Sequence, residues 1–274
     1  MSSKKFAVVG DPISHSLSPV IHGAAYKHLG LDWSYEAKQV SSDGLAEFLK
    51  SHLGVFSGLS VTMPLKFEAA KLGGTVDDYV SHTGVANTLL LGSEISAFNT
   101  DVFGIERSLE AVWHSQPEAV AVLGSGATAR STLMAVSNTI PKARVIVYAR
   151  SADKCHELVE LFPALNLSSA SLDSFRAVED LVVNTLPSDV SLPGFTEASN
   201  AWLLNVGYAN KKSAFAQLFS REKIVGGEEM LIWQAIQQIR IFVSGDKQVS
   251  LGNESILYKV MKDSIQDDLT GVGE

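Results

Sequence analysis

The sequence predicts an α/β protein of two domains, the second a doubly wound parallel sheet. Three observations carry that expectation. Apolar runs of strand length alternate with stretches of helical periodicity, as βαβ units require. Gly124-Ser125-Gly126-Ala127-Thr128-Ala129 follows one such run and opens a helix. A polar stretch, His114-Ser115-Gln116-Pro117-Glu118, precedes that unit and marks a boundary.

Phe6-Ala7-Val8-Val9 reads as a buried strand, broken by Gly10-Asp11-Pro12. A helix then runs to about Leu29, with Ser18 at the N-cap and Pro19 at the first helical position. Hydroxyls and N–H groups at a helix start form an anion site, so Ser16 and Ser18 are candidates to hold a carboxylate. Capping alone explains Ser18, whereas Ser16 has no such explanation. A strand at 33–40, a helix at 43–52 and a strand at 59–62 follow. In Gly58-Leu59-Ser60-Val61-Thr62-Met63-Pro64-Leu65-Lys66, Val61 faces a core while Ser60 and Thr62 share the other face. Pro64 ends the ladder, having no N–H to donate, and Lys66 stands just beyond it.

Residues 86–91 and 94–99 read as a hairpin turning at Gly92-Ser93, so Asn87 and Asn99 meet at one rim. Asp101 closes the step Asn99-Thr100-Asp101. A Lys66–Asp101 pair in a cleft holds a proton ready for a carbonyl or hydroxyl group. Residues 102–112 have helical periodicity and bridge toward the second domain.

Residues 119–123 are continuously apolar, as a central parallel strand should be. They run into G-x-G-x-x-A, the variant dinucleotide fingerprint. Gly124 allows a tight turn, Gly126 lets backbone approach a pyrophosphate, and Ala129 lets helix pack on strand. The next strand, 143–149, ends at Arg150-Ser151 with Lys154 close behind. A fold that prefers NAD usually carries an acid there for the ribose 2′-OH. A guanidinium and a hydroxyl suit a 2′-phosphate instead, so NADP is expected. Strands at 181–186, 202–206 and 223–227 bring the sheet to five, with the ligand at their carboxyl ends. Residues 214–221 read as helical. Glu228 begins a helix that carries Gln234 and runs to about Phe242. Residues 253–263 form a last helix and 267–274 a frayed tail.

The 274 residues suffice for two cores, and 46% apolar with 19% charged residues is a globular composition. A net charge of −8 disfavours nucleic acid and anionic membrane as partners. No run is long enough to span a membrane and the first residues are too short for a signal peptide, so a cytoplasmic protein is expected. Cys155 is the only cysteine, read as structural, and the seven histidines show no metal-ligand spacing, so no metal is expected.

In chain order, these stretches resemble the shikimate dehydrogenase family. The pieces are Gly10-Asp11-Pro12-Ile13-Ser14-His15-Ser16-Leu17-Ser18-Pro19, Ser60–Lys66, Asn87-Thr88, Asn99-Thr100-Asp101-Val102-Phe103-Gly104, the glycine loop and Met230-Leu231-Ile232-Trp233-Gln234. The resemblance implies NADPH-dependent reduction of 3-dehydroshikimate to shikimate, a step toward chorismate and the aromatic amino acids. It implies that Ser16 and Ser18 bind the carboxylate, with Tyr208 near it. Thr62, Lys66, Asn87, Asp101 and Gln234 would hold the ring hydroxyls and the reacting oxygen. It also implies that the final helices return to the first domain. The substrate domain would then be 1–101 with 228–274, and the Rossmann-like NADP domain 102–227. The partner expected is a small molecule, and the chain a monomer or homodimer.

Four departures from the family pattern stand out. Ser60 replaces an asparagine, which is expected to loosen the site. Ala127 replaces a third glycine. Ala149 replaces the first residue of an Asn-Arg-Thr/Ser motif, and Asn205-Val206-Gly207-Tyr208 lacks an aspartate and a following proline. The resemblance leaves two alternatives open: a relative acting on quinate or an amino analogue, and a non-catalytic NADP sensor of the same fold.

Overall fold

The computed structural model describes residues 3–271 apart from 113, 115, 188–189, 191, 193–198 and 208–214, with backbone only from 267. The described chain forms two units: Met1–Thr100 with Ile232–Glu274, and Asp101–Leu231.

The first unit is built on β1 (Lys4–Gly10), which pairs in parallel with β2 (Trp33–Gln39) on one side and β3 (Gly58–Val61) on the other. Two antiparallel pairings then add β5 (Thr88–Leu91) and β6 (Ile95–Phe98), and the short β4 (Thr75–Val76) closes the order β2-β1-β3-β5-β6-β4. Period-two alternation divides the sheet into two faces. Ala7, Val9, Leu59, Val61, Leu89 and Ala97 point into one core. Helices α2 (Leu45–Ser51), α3 (Lys66–Leu72) and α4 (Asp78–Thr83) follow the strands of this unit, and Leu45, Ala69 and Val80 join that core. The helices α1 (Ser18–His28), α8 (Gly227–Ser244) from Ile232 onward, and α9 (Glu254–Gly271) complete the unit, α1 packing on α9. Arg240 of α8 grips the Glu254 carboxylate with two bonds, at 2.8 and 2.5 Å, which fixes the start of α9.

Gly58 allows α8 to approach the sheet. A Cβ there would lie 2.6 Å from Cε1 of Phe242, whose ring stacks on Phe6 at 4.4 Å. His22 is wholly buried in the same layer, stacked on Tyr35 at 4.1 Å. Burial pushes its imidazole down to about 3, although a hydrogen bond to Gln238 acts the other way.

The second unit is a six-stranded parallel sheet in the order β12-β11-β10-β7-β8-β9. Its strands are β7 (Ala119–Leu123), β8 (Arg144–Ala149), β9 (Asn166–Ser171), β10 (Leu181–Asn184), β11 (Trp202–Asn205) and β12 (Ile224–Gly226). The order reverses between β7 and β10, so the loops after those two strands flank a switch point. Helices α5 (Asp101–Leu109), α6 (Ala127–Thr139) and α7 (Ala152–Leu161) complete the described helices of this unit. Cys155 is buried in α7, where burial pushes its thiol up.

The structure differs from the sequence reading at several points. The second sheet has a sixth strand, β9, at its edge; with Asn166, Ser168 and Ser169 it lacks an apolar signature. Within 214–221 the described residues form a 3-10 turn at Ala216–Leu218 and the start of another at Arg221–Lys223, not an α-helix. The last helix continues to Gly271, so 267–271 is helical rather than a frayed tail. Ser18 is the first residue of α1 and not its N-cap.

Gly58→Ala should cost about 1–3 kcal/mol, because Phe242 is held by Phe6 and cannot retreat; a denaturant midpoint unchanged from wild type would contradict this. His22 refuses in the fold a proton that the unfolded chain accepts below 6.5. Its contribution is therefore complete above that pH and is lost as pH falls toward about 3, at about 1.4 kcal/mol per pH unit. His22→Gln should make the pH dependence of unfolding free energy shallower by about one proton over that window. Identical slopes would mean that His22 is not buried neutral.

Candidate active site

In the first unit, four loops gather at one end of the sheet because β1 and β3 run parallel and the hairpin β5–β6 returns beside them. The loops after β1 and β3 are tied together, with Asp11 N–H donating to Met63 O at 2.9 Å and Thr62 N–H to Val9 O at 2.9 Å. Gly10 permits this approach, since a Cβ there would lie 2.4 Å from Thr62 Cγ2. The loop after β1 carries Ser16 and leads into α1. The Ser16 hydroxyl accepts the Ser18 backbone N–H at 3.3 Å. Ser16 rather than Ser18 thus serves the helix start, and Ser18 lies buried in the first turn.

Lys66 is the first residue of α3, half-buried, and its carbonyl accepts the Ala86 N–H at 3.0 Å. That bond sets Lys66 beside the start of β5, where Asn87 is buried. The Asn87 Oδ1 accepts the Thr100 N–H at 2.8 Å and the Thr88 hydroxyl at 2.8 Å. Its Nδ2 donates to Thr100 Oγ1 at 2.9 Å and to Gln234 Oε1 at 3.3 Å. Two predicted participants, Asn87 and Gln234, therefore converge at the strand ends, joined by Thr100, with the Lys66 backbone beside them. Asn99 turns away, donating to Thr83 Oγ1 at 3.3 Å. Asp101 follows Thr100 as the first residue of α5, with 3% of its surface exposed.

Ser60 is more tightly held than the sequence led us to expect. Its hydroxyl accepts from Tyr35 at 2.6 Å and donates to Gln238 Oε1 at 2.7 Å, both beneath the sheet end. Gln238 was not singled out from sequence, and Thr88 and Thr100 entered only as parts of the Asn87-Thr88 and Asn99-Thr100-Asp101 pieces. Gln238 had a usable signal, since it lies one helical turn after Gln234.

In the second unit, Gly124 has φ +110°, and a Cβ there would meet Thr185 Oγ1 at 2.6 Å. Thr185 in turn donates to Leu123 O at 2.7 Å, so the loops after β7 and β10 are locked together at the switch point. Gly126 is different: a Cβ on it meets nothing within 4 Å, so its exposed backbone can be approached from outside. Ser125, Ala127 and Thr128 are partly exposed around it, while Ala129 is buried against the sheet. The first N–H groups of α6 point out of this loop, which suits a diphosphate. Arg150 is exposed immediately after β8. Ser151 caps α7, accepting the Lys154 N–H at 3.3 Å, which leaves its O–H able to donate. Asn184 and Asn205 end β10 and β11 and join side chain to side chain at 3.0 Å. Tyr208 lies outside the described residues. Among the described residues, no group of three His, Cys, Asp or Glu side chains is placed to hold a metal, and no helix is long and apolar enough to cross a membrane.

Residues 8–89 match the family model described as the shikimate dehydrogenase substrate binding domain. The chain is 32% identical to the shikimate dehydrogenase (NADP(+)) of Ignicoccus hospitalis, over 87% of this chain and 92% of that protein. It is 31% identical to the enzyme of the same name from Legionella pneumophila, over 87% and 93%. The structure of shikimate 5-dehydrogenase from Thermus thermophilus, in complex with NADP(H) and shikimate, superposes with a TM-score of 0.76 at 28% identity, covering 95% of this chain and 99% of that one. With its two sheets, its phosphate-type loop and this likeness along nearly the whole length, the chain belongs to the shikimate dehydrogenase family.

Proposed function

We propose that this protein is an NADP-dependent shikimate dehydrogenase that interconverts 3-dehydroshikimate and shikimate. The observation that carries the reading is the cluster of Asn87, Thr100 and Gln234 beside Lys66, at the strand ends of the unit whose residues 8–89 match the substrate-binding model. The relatives' names support the substrate and cofactor. The first unit takes the polyol acid and the second the dinucleotide.

Ser16 and Ser18 hold the substrate carboxylate at the α1 start, while Thr62, Asn87 and Gln234 bind ring hydroxyls. Tyr208 is assigned to the carboxylate end. The backbone of Gly124, Ser125, Gly126, Ala127, Thr128 and Ala129 holds the pyrophosphate, and Arg150 and Ser151 hold the 2′-phosphate. NADP held by these residues would supply the hydride chemistry at C3 of the ring. In the reductive direction the C3 oxygen gains charge as its carbonyl π bond breaks. The Lys66 ammonium stabilises that charge and gives the oxygen a proton, and Asp101 orients the amine. The neutral amine left behind regains a proton from solvent, which closes the balance.

The test is reduction of NADP or NAD, followed at the nicotinamide absorbance band, with shikimate or quinate. Turnover with shikimate and NADP is expected. Silence with both substrates at high enzyme concentration would favour a binding protein over an enzyme. Lys66→Ala should lower kcat by about 10²–10⁴-fold and leave the NADPH dissociation constant unchanged; retention of most turnover would remove Lys66 from the proton step. Arg150→Ala should raise KM for NADP by about tenfold or more with KM for shikimate unaltered, as loss of a charge-assisted bond to phosphate requires. An unchanged KM for NADP would place the 2′-phosphate elsewhere.

A further inference from the structure

The face of the first sheet that meets α8 contains a line of polar groups, buried except at its partly buried Tyr35 end, that the reaction as described does not use. It runs from Tyr35 on β2 to Asn87 at the start of β5. Every hydroxyl and amide along it has a determined donor direction.

The direction is set by the backbone carbonyl of Asn87, which can only accept. Gln238 approaches it at 3.2 Å, so the Gln238 nitrogen, and not its oxygen, must face that side. The same nitrogen donates to Thr88 Oγ1 at 3.0 Å. Thr88 therefore spends its own proton in the other direction, on Asn87 Oδ1 at 2.8 Å. At its far end Gln238 presents oxygen, which accepts the Ser60 hydroxyl at 2.7 Å. Ser60, having given its proton, accepts from Tyr35 at 2.6 Å. His22 Nε2 also faces the Gln238 oxygen, at 3.2 Å, so His22 carries its proton on Nε2 and accepts from Tyr26 at Nδ1. Turning the Gln238 amide over would set its oxygen against the Asn87 carbonyl, two acceptors with no proton between them, whichever way the hydroxyls turn.

We propose that Gln238 is a positioning residue for Asn87, acting through Thr88 and held in turn by Ser60, Tyr35 and His22. The line keeps the Asn87 oxygen on Thr88 and Thr100, and so keeps its N–H₂ side toward Gln234 and Thr100 Oγ1. A substrate hydroxyl that takes the place of Gln234 Oε1, the longer of the two acceptors at 3.3 Å, meets an amide donor of fixed direction. The inference rests on the reading above that Asn87 binds the substrate. Ser60 then supports the site from beneath rather than touching the ligand.

The test compares Thr88→Val, which keeps shape and loses the hydroxyl, with Thr88→Ser, which keeps the hydroxyl, and with Gln238→Met. KM for shikimate should rise about tenfold in Thr88→Val and Gln238→Met, with KM for NADP unaltered. Thr88→Ser should return to within about twofold of wild type. The double variant should be no worse than the poorer single one, because both cut the same line. A merely structural role would lower the melting temperature and the active fraction in all three without this selective change in KM. Wild-type KM for shikimate in folded Thr88→Val overturns the proposal, as does a double variant whose penalties add. Should Gln238→Met not fold, the Thr88→Val and Thr88→Ser pair decides alone. Asn87→Ala separates the two levels: no change in KM for shikimate there overturns the substrate role of Asn87 itself, whereas a large change with an unaffected Thr88→Val overturns only the positioning line.

Discussion

Gln238 lies with its N–H₂ against a backbone carbonyl that has no proton to give, and that single contact orders the polar groups around it. In a layer sheltered from water, an amide turned the wrong way leaves the Asn87 carbonyl facing another acceptor, at a cost of about 1–3 kcal/mol. The sequence answers with hydroxyls, which can both accept and donate, at Tyr35, Ser60 and Thr88, and with a neutral imidazole at His22. The apolar surroundings that exclude water also hold that imidazole neutral.

The two sheets solve different problems with the same device, a short loop at the carboxyl end of a parallel strand. In the first unit the loops after β1 and β3 interlock through Gly10 and Thr62, and side chains supply the chemistry. In the second, Gly124 and Thr185 interlock and backbone N–H groups are what is offered. That division matches the ligands assigned to them. A polyol acid needs several directed side-chain bonds, whereas a diphosphate is met by amides at a helix start.

Backbone constraints were the most legible part of the sequence. The glycine loop, the apolar runs of β7 and β10 and the hairpin of β5 and β6 all announce themselves, because only certain residues tolerate those conformations or that burial. Lys66, Asn87, Asp101 and Gln234 were read from motifs of fixed spacing, and the structure brings Asn87 and Gln234 together. What stayed hidden depends on contacts far apart in sequence. Ser60 looked like a loosening change because its partners, Tyr35 and Gln238, lie 25 and 178 residues away. β9 is an edge strand with polar residues, so alternation is too weak to reveal it. Ser18 carries every local sign of a cap, yet the helix starts one residue earlier than those signs indicate, and Ser16 takes the bond.

Gly124 is excluded from change by two barriers that do not share a remedy. Its φ of +110° disfavours any side chain through the backbone alone, and the Thr185 hydroxyl occupies the volume a β-carbon would need. Shrinking Thr185 to alanine opens the space but leaves the torsional barrier standing, and would also remove the bond that joins the two loops. No single compensating substitution can therefore admit a larger residue at the first glycine, and lineages of this chain would have to change both loops together to lose it.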